Sequence, residues 1–170
     1  MHINPTPPRP MTWGRGDDQT TRILDSKLAS RAADGEAMRL IYVAHPFGGN
    51  QHFADNAEEL TALLNLRVER AVFICPWLPM VRCWVNSGEH RARGLMLDCE
   101  TVKLCHGLLL LGKEHSMGML KEFEAATAAG IPSLKVSNGW LMSEAIAIQE
   151  WVDSMPSTRL PPAASRSTNG

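Results

Sequence analysis

The chain has 170 residues, 44 % of them hydrophobic, enough for one α/β-sized core with tails and too few for a second full domain. Its formal charge of −1 supplies no broad cationic field, which argues against a nucleic-acid polymer as partner and favours small ligands. Cys75, Cys83, Cys99 and Cys105 form no CxxC pair and follow no secretory leader, so reduced thiols in the cytoplasm are expected. The spacing of Cys75, Cys83 and His90 matches none of the common zinc patterns, no metal or cofactor is expected, and no apolar run approaches the roughly 18 residues of a membrane span.

Pro5, Pro7, Pro8 and Pro10 preclude regular pairing near the start, and 1–37 reads as a flexible arm in which Thr20 to Ala33 carries a short helical pattern. Arg39 to Ala44 is apolar enough for a strand buried on both faces, and His45-Pro46-Phe47-Gly48-Gly49 ends it with glycines that allow close ligand approach. Asn50 then caps a helix reaching about Val68, with Phe53, Ala57, Leu60 and Leu64 inward. Ala71 to Cys75 is the second strand. The stretch Pro76 to Trp84 follows as a long loop, whose Trp77 and Trp84 offer a wall for a flat base or else cover the core.

A third helix runs from about Glu89 to Leu104. Its apolar stripe is Ala92, Leu95, Met96, Cys99 and Val102, with Asp98 on the flank one turn after Gly94. Gly107 to Leu111 forms a further strand, Ile131 to Val136 another, and Leu141 to Ser154 a last helix with Leu141, Ala145, Ile148, Trp151 and Val152 inward. The residues 156–170 are rich in Pro, Ser and Thr and read as a tail.

Between those last two strands lies the stretch that organises the rest. Ser116 can cap a helix whose buried stripe is Met119, Phe123, Ala126 and Gly130, leaving the amides of Gly118 and Met119 and the positive helix end to face the preceding loop, a candidate anion site. Glu122 lies on the flank one turn after Gly118 and leans back toward that loop, where a carboxylate suits attack on a sugar carbon. A solvated helix residue is the plain alternative for both Glu122 and Asp98. Alternating strands and helices imply an α/β fold, a Rossmann/flavodoxin-like three-layer sandwich with a parallel sheet of four to five strands. The loops after Tyr42, around Trp77 and before Ser116 then meet at the sheet's carboxyl edge.

Tyr42, Asp98 and the element Ser116-x-Gly118-Met119-x-x-Glu122 together resemble the nucleoside 2-deoxyribosyltransferase-like superfamily. Within it the similarity is greatest to the 2′-deoxynucleoside 5′-phosphate N-hydrolases and pyrimidine nucleotide N-glycosidases. The resemblance covers about Leu40 to Val136, inside a domain spanning 38–155. It implies that Glu122 attacks or supports the anomeric carbon, that Asp98 handles a proton at the base, and that Tyr42 orients the glutamate. It also implies that Ser116 and the Gly118 amide, beside Met119, hold a phosphate. Deoxyribosyltransferases of free nucleosides usually carry Asp where Ser116 stands, so serine favours a 5′-monophosphate, which a second carboxylate would repel.

The family usually offers Gly-Ser or Gly-Pro after the first strand, whereas His45-Pro46-Phe47 intervenes here and makes His45, Phe47 and Gly48 candidate wall residues. His45 is a contact for base or phosphate, or a structural loop histidine. The resemblance further implies a homodimer or higher homo-oligomer whose neighbouring subunit completes the pocket through a polar residue such as Ser143 or Asn138. The activity implied is hydrolysis of the N-glycosidic bond of a nucleotide. Base exchange by a transferase and a nucleotide-binding module without turnover are the alternatives.

Overall fold

A computed structural model describes residues 38–83, 87–137 and 142–156. The arm with its Thr20 to Ala33 pattern, the tail after Pro156, Trp84, Asn138 and Leu141 lie outside the described residues, as does the side chain of Ser143. Four strands, β1 (Arg39–Ala44), β2 (Ala71–Ile74), β3 (Gly107–Leu111) and β4 (Ser133–Val136), form one sheet in the order β2-β1-β3-β4 with every pairing parallel. The helices are α1 (Gln51–Arg67), α2 (Trp77–Cys83), α3 (Gly88–Val102), α4 (Met117–Ala128) and α5 (Met142–Ser154). The fold is thus the expected α/β three-layer arrangement.

Strand alternation distributes the core between the two faces of the sheet. Ile41, Val43, Leu109 and Leu111 pack with Leu60 and Leu64 of α1 and Ile148 and Val152 of α5. Tyr42, Ala44, Leu108 and Leu110 face the other way, toward Trp77 of α2, Val102 at the end of α3, and Met119 and Ala126 of α4. Such strands, apolar at nearly every position, are what burial on both faces requires. At the edge, Asn65 of α1 accepts from the Phe73 amide and donates to the Phe73 carbonyl, both at 2.9 Å, so that this part of β2 already has a partner.

The order of the strands positions the site. From β1 the chain crosses to β2 on one side, and from β3 it crosses to β4 on the other, so the connections diverge above the neighbouring carboxyl ends of β1 and β3. The two loops leaving those ends touch: a Cβ built on Gly112 would lie 3.3 Å from Pro46, and Gly112 takes φ +113°, a conformation that favours glycine.

Three sequence expectations change. Pro76 to Cys83 is not all loop: Trp77–Cys83 is a helix, because Pro79 falls in its first turn, where a missing amide hydrogen costs no intrahelical bond. In α1 the inner residues are Ala54, Ala57, Leu60 and Leu64, while Phe53 is partly exposed, its ring tilted against those of His45 and His52. In α3 the buried residues are Gly94, Asp98 and Val102, whereas Ala92 and Met96 face outward. The remaining element boundaries agree with the pattern to within two residues.

Candidate functional site

Tyr42 ends up beneath the cleft because strand alternation sends it to the α3/α4 face with Ala44 above it. Its ring is fully buried, and its hydroxyl donates to Glu122 Oε1 at 2.9 Å. Glu122 is only 5 % exposed and belongs to the inner stripe of α4 with Met119 and Ala126, while Phe123, expected there, is half-buried beneath Lys135 Nζ at 4.5 Å. Asp98, 6 % exposed, approaches from α3, and a hydrogen bond to the same Tyr42 hydroxyl favours its ionised form. Asp98 Oδ1 is buried without a partner. The three residues that carried the resemblance therefore converge, and neither carboxylate is the solvated helix residue of the plain alternative.

Burial governs their protonation. Glu122 is pushed up to about 8 by desolvation, against which the Tyr42 hydrogen bond acts, while the negative charge of Asp98 raises it further. Asp98 is pushed up to about 6, again chiefly by desolvation. Tyr42 itself is driven far above its ordinary range by burial and by the two carboxylates, so it stays a donor. A phenol has one proton to give. With Glu122 raised to about 8 and Asp98 to about 6 by burial, the pair holds a single proton between those two values.

The carboxylates lie at the floor of a cleft of about 380 Å³, within the range of small-molecule sites. Its lining includes every candidate wall residue expected from the β1 loop, the first turn of α4 and Trp77: His45, Phe47, Gly48, Trp77, Ser116, Gly118 and Met119. Ser116 caps α4, with Oγ accepting from the Met119 amide at 3.3 Å and its backbone extended. That serves one orphan amide of the first turn, and the earlier ones have no partner within the helix itself. A Cβ on Gly118 would make only ordinary contacts, 3.7 Å to Ser116 Oγ and 3.9 Å to Leu95 Cδ1, so the protein's own packing does not demand glycine there.

The aromatic wall is one contact pair. Phe47 and Trp77 have ring centroids 5.7 Å apart, tilted by 44°. Trp77 both seals the core and lines the cleft, which joins the two alternatives posed for it. His45 is held by its neighbour: the Pro46 carbonyl can only accept, so Nδ1 donates to it at 2.8 Å. Burial lowers the pKa of the ring. Neutral, with Nδ1 occupied, His45 offers an acceptor at Nε2 and no charge to a phosphate.

Sequence reasoning missed the α3 contribution at the rim, His90, Arg91, Gly94 and Leu95, and Met80 and Val81 of α2. A signal existed, since Arg91, Gly94 and Asp98 recur at helical spacing. Taking Asp98 as a flank residue concealed the whole face. Among the described residues no three His, Cys, Asp or Glu side chains are grouped to hold a metal ion, and no helix is long and apolar enough to cross a membrane.

No curated protein matches the chain. Residues 39–136, from the first residue of β1 to the last of β4, match the family described as "Domain of unknown function (DUF7768)". The matched span contains both carboxylates, Tyr42 and every described residue of the cleft lining, so the site belongs to the part of the chain that defines the family. Covering more than half of the chain, this match makes it a member of the DUF7768 family.

Proposed function

We propose that the chain cleaves the N-glycosidic bond of a (deoxy)nucleoside 5′-monophosphate, releasing the free base and the sugar 5-phosphate. One observation carries the reading: two buried carboxylates share the hydroxyl of Tyr42 at the floor of a cleft whose rim is the capped amino end of a helix. The resemblance of Tyr42, Asp98 and Ser116-x-Gly118-Met119-x-x-Glu122 to nucleotide N-hydrolases supports the same chemistry.

Breaking the bond from C1′ to nitrogen sends its electron pair to the base and leaves positive charge on the sugar. An ionised carboxylate beneath C1′ stabilises that charge and can capture it as an ester. The departing nitrogen needs a proton. With one proton on the pair, Asp98 in its acid form donates it while Glu122 attacks, and a positive sugar over Glu122 favours this arrangement of the proton. Water then attacks C1′ of the ester, returns a proton to Asp98 and frees the Glu122 carboxylate. The α4 amides suit the 5′-phosphate, and Phe47 and Trp77 suit the flat face of the base.

Incubating the full chain with a panel of ribo- and deoxyribonucleoside monophosphates, and detecting base by chromatography, tests the reading. Base release is expected to be fastest between about pH 6 and pH 8, where the pair is singly protonated. Glu122→Gln should slow it ~10³-fold or more. If no base appears from any member of the panel, the proposal fails. A second base added to the incubation separates hydrolysis from transfer, because only a transferase yields the exchanged nucleotide.

A further inference from the structure

We infer that Arg91 is the specificity-determining cation of the cleft, receiving the 5′-phosphate opposite the first-turn amides of α4 and so selecting nucleotides over nucleosides. The inference rests on the reading above and names a residue that neither the sequence pattern nor the family assigns. Three observations carry it.

The first is position. In a parallel sheet, α3 and α4 both run back against β3, so both amino ends lie at its carboxyl edge. A Cβ on Gly118 would stand 3.9 Å from Leu95 Cδ1, which sets the first turn of α4 beside the second turn of α3. Arg91 lies one turn nearer the rim than Leu95, on the face that carries Gly94 and Asp98, and all four line the cleft. Its Nη2 reaches across to the β1 loop, 3.9 Å from where a Cβ on Gly49 would stand.

The second is charge. Among the described residues lining the cleft, Arg91 is the only Lys or Arg, and no ion pair engages it. Arg82, on α2, is by contrast committed to Asp55 and Glu58 at 2.7 and 2.9 Å. The third is need. A phosphate dianion entering this cleft meets a floor that keeps at least one negative carboxylate above about pH 6, and His45, neutral and an acceptor, brings no positive charge. A guanidinium at the rim offsets that repulsion, and its planar fork matches two phosphate oxygens. The cleft is thereby polar along its length, positive at the rim and acidic at the floor.

Calorimetric binding tests this in the full chain carrying Glu122→Gln, which slows turnover during the titration. The probes are the four common 2′-deoxynucleoside 5′-monophosphates and the four matching nucleosides. Adding Arg91→Ala is expected to weaken the monophosphates at least 10-fold, toward the affinity of the nucleosides, to leave nucleoside affinity unchanged and to flatten the salt dependence. Arg91→Lys is expected to recover part of the loss. Equal weakening of both ligand sets, or none, overturns the assignment. If base release by the unsubstituted chain persists alongside such a result, the N-glycosidase reading survives and only Arg91 is misassigned; if the monophosphates bind no better than the nucleosides before Arg91 is changed and no base is released, both fall.

Discussion

Tyr42 has one hydroxyl proton and two carboxylates beside it, and burial rather than that hydroxyl sets how readily the two carboxyls ionise. The hydrogen bond from the Tyr42 hydroxyl favours an ionised Glu122, but burial outweighs it, and the Glu122 carboxyl rises to about 8. Stability carries the same signature. A carboxyl whose folded value lies above its unfolded value of 4.5 contributes most below about pH 4.5, and loses that contribution as pH rises through about 8. Glu122→Gln does not titrate. Its stability advantage over the unsubstituted chain should therefore widen between pH 4.5 and pH 8.5, by a few kcal/mol at about 1.4 kcal/mol per unit. Urea unfolding at the two pH values measures the gap, and a gap that stays constant would refute the burial argument.

At the scale of single elements, the inward faces of α3 and α4 are each turned by about one residue from the purely apolar stripe. Both acids lie inside, at Asp98 and Glu122, and apolar Met96 and Leu120 face outward in exchange. Periodicity ranks residues by hydrophobicity, so a carboxylate on the buried face pulls the inferred stripe aside. The glycines one turn before the acids have a related meaning. Since the protein makes only ordinary contacts at a Gly118 Cβ, Gly118→Ala should fold with a melting temperature no lower than the parent. Its methyl group would stand in the cleft, however, and monophosphate affinity should fall at least 10-fold. Thermal melts and calorimetry on one preparation check both halves, and unchanged affinity would remove Gly118 from the anion site.

For the whole domain, the most crowded of the described glycines is Gly107, the first residue of β3. A Cβ there would come within 2.6 Å of Met155 Cε and 2.8 Å of Trp151 Cη2, so α5 can lie close to the sheet only because the residue is glycine. The methionine end can swing away, whereas the bulky indole has to shift as a unit. Gly107→Ala should cost about 1–3 kcal/mol, read as a lower urea midpoint with unchanged slope. A variant as stable as the parent would mean that the α5 layer shifts freely.

Beyond the trio Tyr42, Asp98 and Glu122, which only the resemblance singled out, the sequence alone determined the parallel α/β architecture, the full spans of β1 and β3 and the Asn50 and Ser116 caps. These are local signals: apolar runs, a capping residue and helical spacing each act over a few residues. Only the tertiary structure decided that α3 turns its acid inward beside Tyr42, that Trp77 starts a helix, and that Arg91 reaches the same cleft. The reason is physical. Which face of a helix is buried, and how far its carboxyl groups are desolvated, depends on what the sheet order brings against it, and no spacing within one helix contains that information.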